Sequence, residues 1–141
     1  MRLFKWSKMH AVFIPEIDAE HQAIFRLAEE LRQAVMGGAP TEREGDIVRE
    51  LIARGEDHFA REERLMRSTE YLAAAWHKRQ HDTVRKRLKE FAPRIESGER
   101  QAALLLLEFL SGWLRDHVRL ADCMMAAHAR NYQRGHAMMA A

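Results

Sequence analysis

The chain has 141 residues, of which 47% are hydrophobic and 31% are charged, and its formal net charge is +2. This length suits one domain with a single core, and the small, mixed charge argues against a nucleic-acid-binding or membrane-surface protein. The one cysteine excludes an internal disulfide, and no apolar run suits a signal peptide or a membrane span. We therefore expect one domain over residues 1–141, cytoplasmic and monomeric, without stable membrane insertion.

Apolar residues recur at helical spacing along most of the chain, and no segment shows sustained strand-like alternation. An N-terminal arm of about residues 1–17 comes first, and a first helix is predicted over about residues 18–36. Two glycines and Pro40 end that helix. The second helix is predicted over about residues 41–66, with Thr41 as the N-cap of a capping box.

The third helix is predicted over about residues 73–92, because Pro93 should end or kink it. The fourth is predicted over about residues 99–130, where buried-type residues follow steps of three and four. Such steps are typical of helices packed nearly parallel to one another, and short connections make neighbouring helices antiparallel. The sequence therefore predicts an all-α fold, an up-down-up-down four-helix bundle with an N-terminal arm.

Five of the eight histidines fall on the apolar stripes of these helices, together with two carboxylates. Burying such groups is costly unless something pairs with them. Residues four apart share a helix face, so His58 with Glu62, and His77 with His81, can each grip one ion. We therefore predict a metal site inside the bundle, with these candidate ligands: His21, His58, Glu62, His77, His81, His117 and Asp122.

The last candidate, Asp122, follows His117 by five residues, which is about 500° on an ideal α-helix and leaves the two roughly 140° apart. Either a local π-bulge distorts the helix, or Asp122 reaches a different point of the site, as a carboxylate bridging two ions would. Considered alone, Asp122 is as readily a solvated helix residue. The adjacent Cys123 is interpreted as a buried, inert thiol, and His128 is roughly 16 Å beyond His117, too far to join the site.

The number of candidate ligands indicates more than one ion. Five imidazoles and two carboxylates are too many for a tetrahedral zinc site. They suit two octahedral ions that share both carboxylates and a solvent-derived oxygen, which leaves one ion with an open position. Mixed imidazole and carboxylate ligation fits iron or manganese, and an open position on a redox-active pair could bind a small diatomic molecule.

In these residues the chain resembles the hemerythrin family, and in particular its single-domain bacterial members. The likeness covers nearly the whole chain, from Trp6 to about Asp122, and fills all seven ligand positions in order. The matching segments are Ile17-Asp18-Ala19-Glu20-His21, His58-Phe59-Ala60-Arg61-Glu62-Glu63, His77 with His81, and His117-Val118-Arg119-Leu120-Ala121-Asp122.

The resemblance implies a non-haem di-iron centre that binds O₂ reversibly. It assigns the coordinatively saturated iron to three histidines, His77, His81 and His117. It assigns the iron with the open position to His21 and His58. The cofactor that it implies is two iron ions, Fe²⁺ or Fe³⁺, with a bridging oxo or hydroxo group.

The same resemblance makes Glu62 and Asp122 the carboxylates that bridge both irons. It also implies an O₂ pocket of bulky apolar side chains, which excludes water and protons from the bound gas. Core packing alone would equally explain these side chains. The pocket residues that it implies are Ile24, Phe59, Trp113, Leu114 and Val118.

Four functions remain open. The one we expect is reversible O₂ binding without net chemistry, for storage, buffering or delivery to an oxygen-using enzyme. A di-iron oxidase, peroxidase or nitric-oxide-handling enzyme is the second, although the chain lacks the paired Glu-x-x-His motifs typical of carboxylate-rich bundles. An oxygen sensor acting through a separate partner is the third, and a metal-free structural bundle is the fourth.

Overall fold

The computed structural model describes residues 3–140 and contains no strand in that range. A short 3₁₀ turn (Lys8–His10) lies in the arm, and a π-helical segment (His117–Asp122) joins the last two helices into one rod. No helix in the described range is both long and apolar enough to span a bilayer. The all-α four-helix bundle is confirmed, and its α-helices are α1 (Pro15–Met36), α2 (Thr41–Ser68), α3 (Ala74–Glu96), α4 (Arg100–Asp116) and α5 (Cys123–Ala140).

Four rods form the bundle: α1, α2, α3, and the continuous rod from α4 through the π-helical segment to α5. Each rod packs against its sequence neighbour, and the α4 rod also packs against α1, which closes the ring. Each buried aliphatic side chain in the shared core contributes about 1.5–3 kcal/mol to folding. This packing, more than the helix propensity of any one segment, holds the rods in register.

Two apolar clusters fill the bundle at different levels. The larger includes Leu31, Ile47, Ile95 and Leu106. The smaller cluster consists of Val12, Ile17, Met66, Met125 and Ala126. The candidate metal ligands lie where the two clusters meet: on α1, for example, His21 falls between Ile17 of the smaller cluster and Phe25 of the larger one. The fold therefore brings the ligands to one polar level inside an apolar core.

Two details of the helix ends differ from the predictions. Thr41 is not the N-cap of α2: the helix begins at Thr41, Pro40 precedes it, and no side chain caps it. The prediction that α3 ends just before Pro93 is also wrong, since α3 continues to Glu96 with the proline inside it. Phe91 and Ile95 are buried on either side of the proline, and their packing holds the last turn although Pro93 donates no hydrogen bond.

The start of the described chain is tied to α1 by the buried carboxylate of Glu29. Its Oε1 accepts hydrogen bonds from the backbone N–H groups of Leu3 (3.0 Å) and Phe4 (3.1 Å), and Arg32 donates to Oε2 at 2.7 Å. The Arg32 hydrogen bond, helped by those of the backbone and Gln33 and opposed by burial, lowers the pKa of Glu29 to about 2.

We expect Glu29→Gln to lower the free energy of unfolding by about 2 kcal/mol at pH 7. The pKa of Glu29 is depressed on folding from 4.5, so its stabilising effect is complete above that pH and is lost as the pH falls towards 2. Chemical denaturation at a series of pH values measures this difference. Glu30→Gln, at a more exposed neighbouring position, is the control, and a pH-independent difference between Glu29→Gln and the parent would contradict the role of the Glu29 charge.

Candidate metal centre

All seven predicted ligands are buried, with at most 4% of each residue exposed, and they converge on one point in the bundle. Their ligand atoms form two groups, and within each group the atoms lie within 4.8 Å of one another. The first group contains Glu62, His77, His81, His117 and Asp122, and the second contains His21, His58, Glu62 and Asp122. The two carboxylates therefore belong to both groups.

Glu62 of α2 directs one carboxylate oxygen to each group. Its Oε1 lies 2.9 Å from His81 Nε2 and 3.3 Å from His77 Nε2. Its Oε2 lies 3.3 Å from His58 Nε2, one turn earlier on the same helix, and 3.8 Å from His21 Nε2. Glu62 thus lies between the two groups as a bridging carboxylate would.

Asp122 has the same arrangement on the opposite rod. Its Oδ1 lies 3.0 Å from the Nε2 atoms of both His77 and His117, and its Oδ2 lies 3.0 Å from His21 Nε2. The five-residue step from His117 is accommodated because residues 117–122 are π-helical, and the wider π turn returns the fifth residue to the same face. The predicted distortion is therefore present.

Cys123 follows Asp122 directly and is exposed, so the prediction of a buried thiol is wrong. Adjacent residues on a helix point about 100° apart. Because Asp122 faces the interior, its neighbour is directed outward.

The cluster contains buried polar atoms without a hydrogen-bond partner, which is what a metal-binding donor set would show. A buried polar atom without a partner is rare and costly. The Nε2 atoms of His21 and His58 lie only 3.1 Å apart, and cations between the donors would satisfy the inward-facing Nε2 atoms and carboxylate oxygens. Several buried atoms of the cluster, most of them close to other donors or acceptors, have no partner in hydrogen-bonding geometry among the described residues: His21 Nδ1, Glu62 Oε2, His77 Nδ1, His117 Nε2, and Asp122 Oδ1 and Oδ2.

The electrostatics of the cluster also favour bound cations. Burial lowers the pKa of His58, but the Glu62 carboxylate and the hydrogen bond to Glu20 outweigh it and raise the pKa to about 10. Burial is likewise outweighed at His77, where Asp122 and Glu62 raise the pKa to about 9. The two buried carboxylates therefore attract positive charge strongly, and a metal ion would replace these protons.

Three residues that the sequence analysis did not single out hold the outer nitrogens of the ligand histidines. Glu20 Oε1 lies 2.9 Å from His58 Nδ1, and Glu63 Oε2 lies 2.8 Å from His81 Nδ1. Gln80 Oε1 lies 2.7 Å from His117 Nδ1. A hydrogen bond donated by Nδ1 fixes the ring and leaves the Nε2 lone pair directed at a metal.

These three supporting residues share one signal in the sequence. Each is adjacent to a ligand: Glu20 precedes His21, Glu63 follows Glu62, and Gln80 precedes His81. A residue adjacent to an inward-facing ligand points about 100° away from it, which is towards the neighbouring rod. In each case the residue supports a ligand on the next rod in chain order.

We expect Glu63→Ala to lower metal affinity by about 10- to 100-fold, because His81 loses the acceptor that orients its ring. Competition with a chelator of known affinity measures the change. Glu56→Ala is the matched control. Arg85 contacts both carboxylates, at 2.9 Å from Glu63 Oε2 and 2.9 Å from Glu56 Oε2, but Glu56 is more exposed and lies on the outer surface. Equal affinities for the two variants would contradict the orienting role of Glu63.

An apolar cavity of about 30 Å³ adjoins the cluster. Two of its aromatic walls stack on ligand rings: Phe59 on His81, with ring centroids 4.2 Å apart, and Trp113 on His117, at 4.1 Å. All five residues named for the O₂ pocket line it: Ile24, Phe59, Trp113, Leu114 and Val118. Five further lining residues were not predicted: Leu51, Gly55, Val84, Leu88 and Leu110.

Comparisons with known proteins agree with this geometry. The family model described as Hemerythrin HHE cation binding domain matches residues 12–129. A bacteriohemerythrin of Aquifex aeolicus is 35% identical over 126 residues, covering 88% of this chain and 95% of that protein. A bacteriohemerythrin of Stenotrophomonas maltophilia is 32% identical over 142 residues, covering 96% and 90%. A myohemerythrin of Riftia pachyptila is 26% identical over 119 residues, covering 84% and 88%.

Proposed function

This chain belongs to the hemerythrin family, and we propose on that basis that it binds O₂ reversibly at two non-haem iron ions, for storage, buffering or delivery. The observation that carries the proposal is the placement of two buried carboxylates, Glu62 and Asp122. In each of them, one oxygen faces the first group of histidines and the other oxygen faces the second group. Such carboxylates are suited to hold two ions close together. When bound, the iron pair would supply the redox-active site that O₂ binding requires.

The two groups of ligands support a division between the irons. His77, His81 and His117 would hold one ion, and His21 and His58 would hold the other, with both carboxylates shared. The second ion thus receives fewer protein ligands. Both histidines of the second group line the apolar cavity, whereas in the first group only His117 does, so the ion that His21 and His58 would hold would lie beside the cavity.

The lining of the cavity favours binding over catalysis. Apart from the candidate ligands, its residues are glycine and large apolar side chains, and none is an acid or a base. An oxidase or peroxidase that cleaves the O–O bond needs protons delivered to the gas. Ile24, Leu114 and Val118 instead exclude water and proton donors, which allows O₂ to leave unchanged.

Anaerobic titration of the reduced, iron-loaded protein with O₂, followed by optical absorbance, tests this function. We expect two irons per chain and a stable coloured adduct that bleaches when O₂ is removed. Prompt decay of the colour with continuous consumption of a reductant would instead indicate an enzyme. A protein purified without bound iron, and unable to take it up, would contradict the proposal altogether.

A further inference from the structure

The cavity beside the cluster is built from successive levels of the bundle. Neighbouring rods are antiparallel, so a residue three positions after a ligand on one rod is level with a residue three positions before a ligand on the next. Four cavity-lining residues occupy this level, one on each rod: Ile24, Gly55, Val84 and Leu114. Three of them carry branched apolar side chains, and the fourth, Gly55 on α2, carries none.

A second level lies one turn further from the cluster. Leu51, Leu88 and Leu110 are each seven residues from a ligand of their own rod, about 10 Å along the helix axis. All three also line the cavity. The cavity therefore spans the distance from the ligands to the leucine level, and it passes the level at which α2 has no side chain.

Gly55 is not required by close packing. A Cβ atom built on it meets no heavy atom within 4 Å, whereas a Cβ atom on Gly45 of the same helix would lie 3.3 Å from Glu96 Cγ. Glycine is also the least favourable residue after proline in a helix interior. At this buried position the missing side chain neither relieves a clash nor favours the helix; its effect is to leave space.

The size and lining of that space suit a small apolar gas. A volume of about 30 Å³ exceeds the roughly 10–15 Å³ that one water molecule needs, and cavities lined by leucine, isoleucine and phenylalanine stay dry and bind xenon. On the leucine side of the cavity no polar side chain is available to hold water. O₂ partitions into such a space more readily than water does.

We propose that Gly55 keeps open a chamber between the metal cluster and the leucine level, and that this chamber holds one O₂ molecule before it reaches the cluster. The assignment to O₂ rests on the proposed function, whereas the chamber rests on the packing alone. Gly55 would thus set how readily gas gains access to the cluster, without contacting the metal ions.

Xenon tests the chamber independently of O₂ chemistry. Crystals of the iron-loaded protein under xenon pressure should show one atom enclosed by Gly55, Leu51 and Leu88. Gly55→Ala should reduce its occupancy severalfold, and Gly55→Leu should abolish it. An empty chamber in the parent protein, or equal xenon occupancy in Gly55→Ala, would overturn the proposal.

Gly135→Ala is the matched control. Gly135 is exposed on α5, and a Cβ atom there also meets nothing within 4 Å. Both alanine variants should therefore raise the midpoint of thermal unfolding by about 3 °C through helix preference. Only Gly55→Ala should alter xenon occupancy, which separates loss of the chamber from a change in stability.

Stopped-flow mixing of the diferrous protein with O₂ tests the role of the chamber in gas entry. Gly55→Ala should slow association severalfold, and Gly135→Ala should leave it unchanged. An unchanged rate in Gly55→Ala would overturn the assignment to O₂. If the parent protein binds xenon as expected but takes up no O₂, the chamber stands and the proposed function fails.

Discussion

His77→Ala will bind fewer than two irons per chain and will unfold at a lower temperature than the parent protein. The His77 side chain is fully buried, and its Nε2 lies 3.0 Å from Asp122 Oδ1 and 3.3 Å from Glu62 Oε1. Removing it deprives both shared carboxylates of the same neighbour, which is cationic when no metal is bound. Loss of one partner from a buried charged cluster costs about 3–5 kcal/mol, and the vacated volume adds to that cost.

His117→Ala should have the same effect, because its Nε2 lies 3.0 Å from Asp122 Oδ1. Iron analysis of the purified variants, together with thermal unfolding, measures both consequences. His128→Ala is the control: this histidine lies on α5 outside the cluster and donates to the Thr69 carbonyl at 2.6 Å. Two irons per chain in either His77→Ala or His117→Ala would refute the ligand assignment.

Trp113→Ala is expected to bind O₂ but to lose the oxygenated form about tenfold faster through oxidation of the iron pair, as water reaches the site. Trp113 separates two spaces. It lines the inner cavity, and with Gln80, Phe109 and Leu120 it also lines a groove on the outside of the bundle. Truncating the indole would join the groove to the cavity and would also remove the ring stacked on His117.

The half-life of the oxygenated form, followed by absorbance, measures this effect. Phe109→Ala is the matched control, because Phe109 lines the outer groove but not the inner cavity. Trp113→Phe keeps an aromatic wall and should fall between the parent and Trp113→Ala. If all four proteins have the same half-life, Trp113 does not seal the site.

The convergence of the seven candidate ligands could be predicted from the sequence because helical spacing within one rod determines which residues share a face. His58 and Glu62, four apart, are predicted to face together whatever surrounds them. The lining residues nearest the ligands were instead implied by the family resemblance. Neither the spacing nor the resemblance indicates Gly55. Glycine adds no apolar side chain to the pattern, and the space beside it depends on side chains from other rods.

Contacts between rods are the part of the site that the sequence does not predict. Glu20, Glu63 and Gln80 each act on a histidine of a different helix, and no spacing along one chain segment reports that contact. For a related reason, the sequence predicts too early an end for α3. Proline disfavours a helix locally, but the burial of Phe91 and Ile95 against other rods overrides the local preference.

Glu20, Glu63 and Gln80 each orient a histidine on the next rod. This arrangement has a consequence for protein design. Grafting the seven ligands onto another bundle would reproduce the inner donors but leave three imidazole rings free to rotate. A faithful transplant must therefore carry Glu20, Glu63 and Gln80 as well. It must also keep the host helices in an antiparallel order, so that each of these residues reaches the histidine on the next helix.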